Sequence, residues 1–385
     1  MKVLFATMNT IEYDGKYYYN NAIPDMYRRY QVLGDDITLL CHAKKVDKAK
    51  SQLIDPDAMK IIIIKKRNTF KSRLSGFGET NKILLEEVRK ADICIIHTPS
   101  SYGNKVIEYA KKLNKPYLTV ICGCPWDSLW NYDWRGKLLA PFSMMSMKKW
   151  QRDAPYSIYV TRYFLQKRYP TSGKWINCSN VEMQTGLPDV LETRLANIEE
   201  RRAEGRRIRV GTAAAIDVPY KGQEYVIRAI GQLKQEGIDM EYHMIGGGSK
   251  DRLQAIIDSL GLGDRVFIHG GLPHDKVAEF FDDMDIYIQP SKQEGLPRST
   301  IEAMSRGCLC FGSNIAGIPE LLDKEHLFDK GNVAQLVQRL KAIKHGDYAE
   351  QARRNYDMAK EYDRDVLNER RRKFLMEFKE AYFGK

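Results

Sequence analysis

Residues 285–320, DIYIQPSKQEGLPRSTIEAMSRGCLCFGSNIAGIPE, hold two carboxylates eight residues apart, Glu294 and Glu302. The segment reads as an apolar strand, a Pro290-Ser291 turn and a loop with Glu294-Gly295-Leu296-Pro297. A helix with Glu302, a second apolar strand and Gly317-Ile318-Pro319-Glu320 follow. This order puts Glu294 at the mouth of a strand and Glu302 in the first turn of the next helix. In open α/β sheets ligands bind at the carboxyl ends of the strands. A helix N-terminus offers unpaired N–H groups and partial positive charge to a phosphate. The expectation is a pocket for a phosphorylated, hydroxyl-rich ligand.

Each carboxylate has a competing structural reading. Glu294 could act only on the next helix through its charge, but the rigid Gly295-Leu296-Pro297 turn that brings backbone N–H groups close favours a ligand. Ser299-Thr300-Ile301-Glu302 fits a capping box, in which Glu302 folds back on the N-cap backbone. On that reading Glu302 is explained without a ligand, whereas Glu294 has no comparable structural requirement.

Further candidates lie at other strand ends. Lys221-Gly222 follows the first strand of the second half, where a Lys can neutralise a diphosphate as a point charge; an exposed Lys before a helix is an equal alternative. Gly246-Gly247-Gly248 ends a strand and lets backbone approach a nucleotide, without forming the G-x-G-x-x-G fingerprint. His97 ends the strand DICIIH and is a candidate for a cleft, against a core His satisfied by its neighbours. Trp126 and Asp127 stand at another strand end, an aromatic beside a carboxylate that suits carbohydrate, with a helix N-cap as the alternative for Asp127. Asp282, Asp283 and Asp285 form D-x-D arrangements at the amino end of a strand, the wrong end for the pocket, and read as surface structure.

These residues need a scaffold that presents strand ends. The first half alternates strand-like runs (residues 3–8, 36–41, 61–64, 92–97, 117–122, 157–160) with helical ones (20–30, 80–89, 103–113). The pattern restarts at 208–214 and runs through strands at 241–245, 266–270 and 285–289. Continuous Ile/Val/Leu runs between helices indicate parallel sheets covered on both faces. The polar stretch 192–207 reads as the connection. Two doubly wound α/β domains facing a cleft are expected, with domain one at 1–190, domain two at 191–362 and a terminal helix at 363–385 that packs back on the first.

The 385 residues exceed one ordinary core, and 43% apolar with 29% charged residues is a soluble globular composition. Nothing resembles a signal peptide or a membrane span, so a cytoplasmic setting is expected. Seven cysteines without a second ligand pair at zinc spacing read as reduced core thiols. The net charge of +11 is uneven: residues 1–190 carry 30 Lys and Arg against 18 Asp and Glu, a net +12, and the rest 31 against 32, a net −1. Cations mixed with apolar residues at 65–74 and 144–152 suit peripheral contact with the inner, anionic face of a membrane. No nucleic-acid-binding signature is present.

The second half resembles the retaining glycosyltransferases of family GT4, which have the GT-B fold and include bacterial capsule and lipopolysaccharide transferases. The resemblance is carried by Tyr220-Lys221-Gly222-Gln223, Met244-Ile245-Gly246-Gly247-Gly248, Val266-Phe267-Ile268-His269-Gly270, Pro290-Ser291, the E-x7-E pair Glu294/Glu302, and Gly317-Ile318-Pro319-Glu320. It implies a nucleotide-diphosphate sugar as donor and a lipid-linked or oligosaccharide acceptor, with no metal or other cofactor. It implies that Glu302 binds the ribose, Glu294 and His97 contact the transferred sugar, and the backbone of Gly295, Leu296 and Pro297 meets the diphosphate beside Lys221. An Arg common in the family before the Lys is absent from Gly211-Thr212-Ala213-Ala214, and Arg298 is the candidate replacement. The glycine-rich loop after the first strand is reduced to Asp14-Gly15-Lys16. Another GT-B enzyme, such as an epimerase or a phosphorylase, and a non-catalytic sugar-nucleotide-binding protein are the alternatives.

Overall fold

A computed structural model describes residues 1–65, 77–100, 102–181 and 183–384. The chain divides into two compact units. The first comprises Met1–Pro125, Pro141–Cys178 and Asn368–Lys385; the second comprises Trp126–Ala140 and Ser179–Leu367.

In the first unit the strands are β1 (Lys2–Tyr13), β2 (Tyr18–Tyr19), β3 (Asp36–Lys45), β4 (Lys60–Ile63), β5 (Ile93–Thr98), β6 (Tyr117–Ile121), β7 (Tyr156–Tyr159) and β8 (Lys174–Asn177). They pair in the order β4-β3-β1-β5-β6-β7-β8, with the short β2 on β1. The β1–β2 pairing is antiparallel and the pairings along this order are parallel, with an isolated antiparallel bridge from Tyr19 to Leu53. Of the basic segment read at 65–74, residues 66–74 lie outside the described residues. All six residues of β5 are buried, as a strand covered on both faces requires. Among the covering helices are α1 (Ile23–Tyr30), α2 (Phe77–Lys90) and α3 (Gly103–Lys112). Leu4, Cys94, Ile96, Val106 and Ile107 form part of one core layer.

Two helices follow β6, α4 (Pro125–Trp130) and α5 (Trp134–Arg152), and a short α6 (Phe164–Arg168) follows β7. The terminal helix packs back on the first unit: Phe374 and Phe378 lie 5.4 and 5.0 Å from Tyr156, and Lys379 donates to the Val32 carbonyl.

The second unit opens with α7 (Val190–Ala203), which lies in the stretch read from sequence as a connection. It is instead a packed helix. Arg194, 3% exposed, donates to the carbonyls of Phe281, Met284 and Arg306. It therefore supplies donors to buried carbonyls at two helix ends. The strands β9 (Ile208–Ala213), β10 (Met240–Ile245), β11 (Val266–Gly270), β12 (Ile286–Gln289), β13 (Leu309–Ser313) and β14 (Leu327–Phe328) form a parallel sheet in the order β11-β10-β9-β12-β13-β14. The helices α8 (Gln223–Gln235), α9 (Asp251–Ser259), α10 (His274–Asp283), α11 (Arg298–Ser305), α12 (Val333–Lys341) and α13 (His345–Lys360) alternate with or follow these strands. Val226, Ile230 and Leu233 of α8 pack on Val210, Tyr242 and Ile288.

The chain winds outward from β9 to β11, then returns to β12 on the other side of β9. The ends of β9 and β12 therefore flank a topological switch point, the crevice where open sheets bind ligands.

Candidate functional site

Lys221 follows β9 and Glu294 follows β12, so the two reach the switch point from opposite sides. Lys221 Nζ donates to Glu294 Oε1 across 2.6 Å, with side chains 21% and 11% exposed. The two loops are also joined through backbone, since the Lys292 N–H donates to the Tyr220 carbonyl at 2.7 Å. Gly222, at φ 74°, sits between them. A Cβ there would lie 2.0 Å from the Pro290 carbonyl oxygen, so only glycine allows the approach.

Glu294 is held more firmly than sequence reasoning expected. Its Oε1 also accepts from Ser291 Oγ at 2.7 Å and from Gln289 Nε2 at 3.1 Å. The Gln289 amide is itself fixed, with Oε1 accepting from Tyr287 OH at 2.5 Å, Ser299 Oγ at 3.0 Å and Thr300 Oγ1 at 3.4 Å. Its Nε2 must then face Ser291 and Glu294. Tyr287 is fully buried, and burial raises its hydroxyl pKa well above the usual range, so it donates as a neutral phenol. The expectation that Glu294 has no structural requirement comparable to a cap is thus corrected: its carboxylate is the end of a buried polar chain running from α11.

The capping-box reading of Glu302 is corrected as well. Helix α11 begins at Arg298 with Pro297 as N-cap and no side-chain cap. Ser299 lies inside the first turn, and its hydroxyl faces Gln289 and Tyr287. Glu302 is therefore one turn into the helix and half-buried, without the cap that would have explained it. Gly295 and Leu296 are half-buried, Pro297 is buried and Arg298 is exposed at the first helical position. The Gly317 N–H donates to the Gly295 carbonyl at 2.9 Å, which ties Gly317-Ile318-Pro319-Glu320 to the same loop.

Gly246 closes β10 at φ 149°, where a Cβ would lie 1.9 Å from the Ala214 carbonyl. Its N–H already donates to Gly270, while a Cβ on Gly247 would meet nothing within 4 Å. Of this pair, Gly247 offers the open approach.

His97 is the next-to-last residue of β5 in the first unit and is 6% exposed. Its Nε2 is 2.8 Å from Tyr30 OH, its Nδ1 is 3.9 Å from Cys122 Sγ, and its ring lies edge-on to Phe5. Burial, with Arg29 and Arg371 nearby, lowers its pKa to about 3. The side chain is a neutral, buried histidine with both ring nitrogens facing protein groups, the alternative weighed against a cleft role.

Trp126 and Asp127 fall in α4, in the segment that groups with the second unit. Trp126 stacks on Trp130 at 5.0 Å. Asp127 is the third residue of the helix, so the N-cap alternative does not hold. Asn131 Nδ2 donates to the Lys292 carbonyl at 3.2 Å, which joins this segment to the loop of Glu294. Asp282, Asp283 and Asp285 pair with Arg306, Arg209 and Arg201; Asp282 and Asp283 lie at the surface as expected, whereas Asp285 is largely buried in its pair. All seven cysteines are thiols rather than disulfides, and six are buried.

The family described as glycosyl transferases group 1 matches residues 208–362, the span that holds Lys221, Glu294 and Glu302. The chain carries a group 1 glycosyltransferase domain and is a glycosyltransferase. Protein CapJ of Staphylococcus aureus is 28% identical over 346 residues, 88% of this chain and 85% of that one. The amylovoran biosynthesis glycosyltransferase AmsK of Erwinia amylovora is 31% identical over 140 residues, 34% of each chain. Among solved structures, Anabaena HepE in complex with UDP-glucose covers 98% of this glycosyltransferase and 100% of its own chain, with TM-score 0.68 and 16% identity. That likeness shows the fold, which is GT-B. No helix among the described residues is long and apolar enough to cross a membrane.

Proposed function

We propose that the protein moves a sugar from a nucleotide-diphosphate donor to a hydroxyl of a lipid-linked or oligosaccharide acceptor in cell-surface polysaccharide synthesis, with retention of anomeric configuration. The observation that carries this reading is the Lys221–Glu294 pair at the switch point of a group 1 domain. Glu294 Oε1 takes all three protein donors, which leaves Oε2 for a hydroxyl of the sugar. Lys221 uses one of its three protons on Glu294 and keeps two for phosphate oxygens. The N-terminus of α11 and the exposed Arg298 add positive charge on the same side. Departure of a diphosphate needs this kind of preset electrostatic stabilisation. The leaving diphosphate then accepts the proton of the incoming hydroxyl, and no metal enters the scheme. Glu302, one turn into α11, accepts from the ribose hydroxyls. HepE was solved with UDP-glucose and AmsK is named for polysaccharide synthesis; both support the substrate class.

Thermal shift with UDP, GDP, ADP and CDP tests the donor half. One of the four raises the melting temperature at millimolar concentration if the reading holds; a flat response to all four removes it.

A further inference from the structure

The connection between β13 and β14 ends in Asp323-Lys324-Glu325-His326. Lys324–His326 form a single 3-10 turn with Asp323 at its N-cap. The turn gathers three donors. One carboxylate oxygen each from Asp323 and Glu325 and one ring nitrogen of His326 lie within 4.8 Å of one another. The Asp323 side chain does not cap the turn. Its Oδ1 accepts from Arg354 Nη2 at 2.8 Å, which leaves Oδ2 for another partner. Glu325 is exposed and makes no hydrogen bond or ion pair among the described residues.

His326 sets this cluster apart from neighbouring carboxylates on an ordinary surface. It is 8% exposed, with its ring edge-on to Phe311 at 5.1 Å. Its buried Nδ1 has no hydrogen-bond partner among the described residues. A buried polar atom left without a partner costs about 1–3 kcal/mol. Two carboxylates beside an imidazole repel an anion and attract a cation.

We infer that Asp323, Glu325 and His326 hold a divalent transition-metal ion of the zinc class, with His326 binding through a ring nitrogen. Calcium and magnesium take oxygen ligands and would leave the imidazole unused. Zinc takes imidazole and carboxylate together. Bonds of about 2.0–2.2 Å put two donors on one zinc ion about 3–4 Å apart. Rotation of the exposed Glu325 side chain closes the cluster to that size, and water fills the remaining position. Arg354, which also donates to the Leu321 carbonyl, fixes the Asp323 carboxylate from its other oxygen. Metal-binding carboxylates ordinarily have such outer support. The ion is structural. Strand β14 is the edge strand, two places beyond β12, so no step of sugar transfer passes through the site. Gly317, earlier in the same connection, donates to the Gly295 carbonyl. Metal binding therefore stiffens a segment that borders the Glu294 loop. The inference does not depend on the proposed transfer reaction.

The test is calorimetric titration of the full chain, stripped with EDTA, by zinc, manganese and calcium chlorides. The wild type takes up a zinc ion, and zinc raises its melting temperature. Glu325→Gln and His326→Gln each weaken that uptake by about tenfold or more, at least the effect of losing a ligand's outer partner. Glu325 is exposed and unpaired, so metal-free Glu325→Gln melts as the wild type does and keeps the test readable if His326→Gln unfolds. Cobalt in place of zinc gives visible ligand-field bands without a near-ultraviolet thiolate band, which separates the site from the cysteines. His269→Gln removes another close histidine pair, His243 Nδ1 and His269 Nε2 at 3.0 Å, and leaves the uptake unchanged. Absence of zinc binding by the wild type overturns the inference. So does uptake that Glu325→Gln and His326→Gln both leave intact, uptake lost in His269→Gln, a thiolate band with cobalt, or calcium binding as tight as zinc.

Discussion

Lys221 Nζ and Glu294 Oε1 meet at 2.6 Å, although the two residues are 73 positions apart in the chain. The contact joins the loop after β9 to the loop after β12 across the switch point. It holds both partners in the crevice where open sheets bind ligands. Removing either charge leaves the other mostly buried and unpaired, which costs about 3–5 kcal/mol in such pairs. Lys221→Met and Glu294→Gln should therefore each lower stability, and the double variant should lose less than the sum. A double-mutant cycle by urea unfolding measures this; strict additivity would mean that the pair does not couple.

Gln289 should act on the site through Glu294. Replacing it with Leu leaves the hydroxyls of Tyr287, Ser299 and Thr300 without their shared acceptor. The expected loss is about 1–3 kcal/mol of stability, and nucleotide-stimulated stabilisation should also fall. Gln289→Leu with unchanged melting temperature would show that the polar chain is dispensable.

Gly222→Ala tests the closeness of the two loops. The new Cβ would lie 2.0 Å from the Pro290 carbonyl, and φ 74° disfavours any side chain. A loss of roughly 1–3 kcal/mol is expected. Gly247→Ala meets nothing within 4 Å and serves as the control; equal losses would contradict the geometry.

His97 makes the stability of the first unit depend on pH. Its ordinary pKa of 6.5 falls to about 3 on folding because burial disfavours the charged form. Between those values the unfolded chain binds the extra proton, so stability is present above pH 6.5 and is lost as pH falls toward 3. The contribution reaches about 1.4 kcal/mol per pH unit for one proton. His97→Gln should show a shallower slope in urea unfolding between pH 7 and pH 4.5. An identical slope would mean that His97 titrates normally.

Much of the fold was legible because buried parallel strands leave continuous apolar runs, and DICIIH and DIYIQ carry that mark. The strand-loop-helix order around Glu294 was legible for the same reason. The function of α7 was not: its charged sequence reads as solvated, and only the fold brings Arg194 to three carbonyls. Helix α5 escaped notice because Pro141 and apolar residues on both sides hide the helical period. The capping box was a local match overruled by distant partners, since Ser299 turns to Tyr287 and Gln289 rather than to its own helix. Gln289 and Tyr287 did carry a signal, two polar groups two residues apart on one face of a buried strand.

The most direct test is the release of nucleoside diphosphate from a panel of nucleotide sugars, followed for the wild type and for Glu294→Gln in the presence of a bacterial lipid extract as acceptor. The wild type should turn over at least one sugar nucleotide, and Glu294→Gln should lower that rate by 100-fold or more, on the order of the effect of removing one electrostatic contact to a transition state. Unchanged turnover in Glu294→Gln, with its fold intact, would contradict the account.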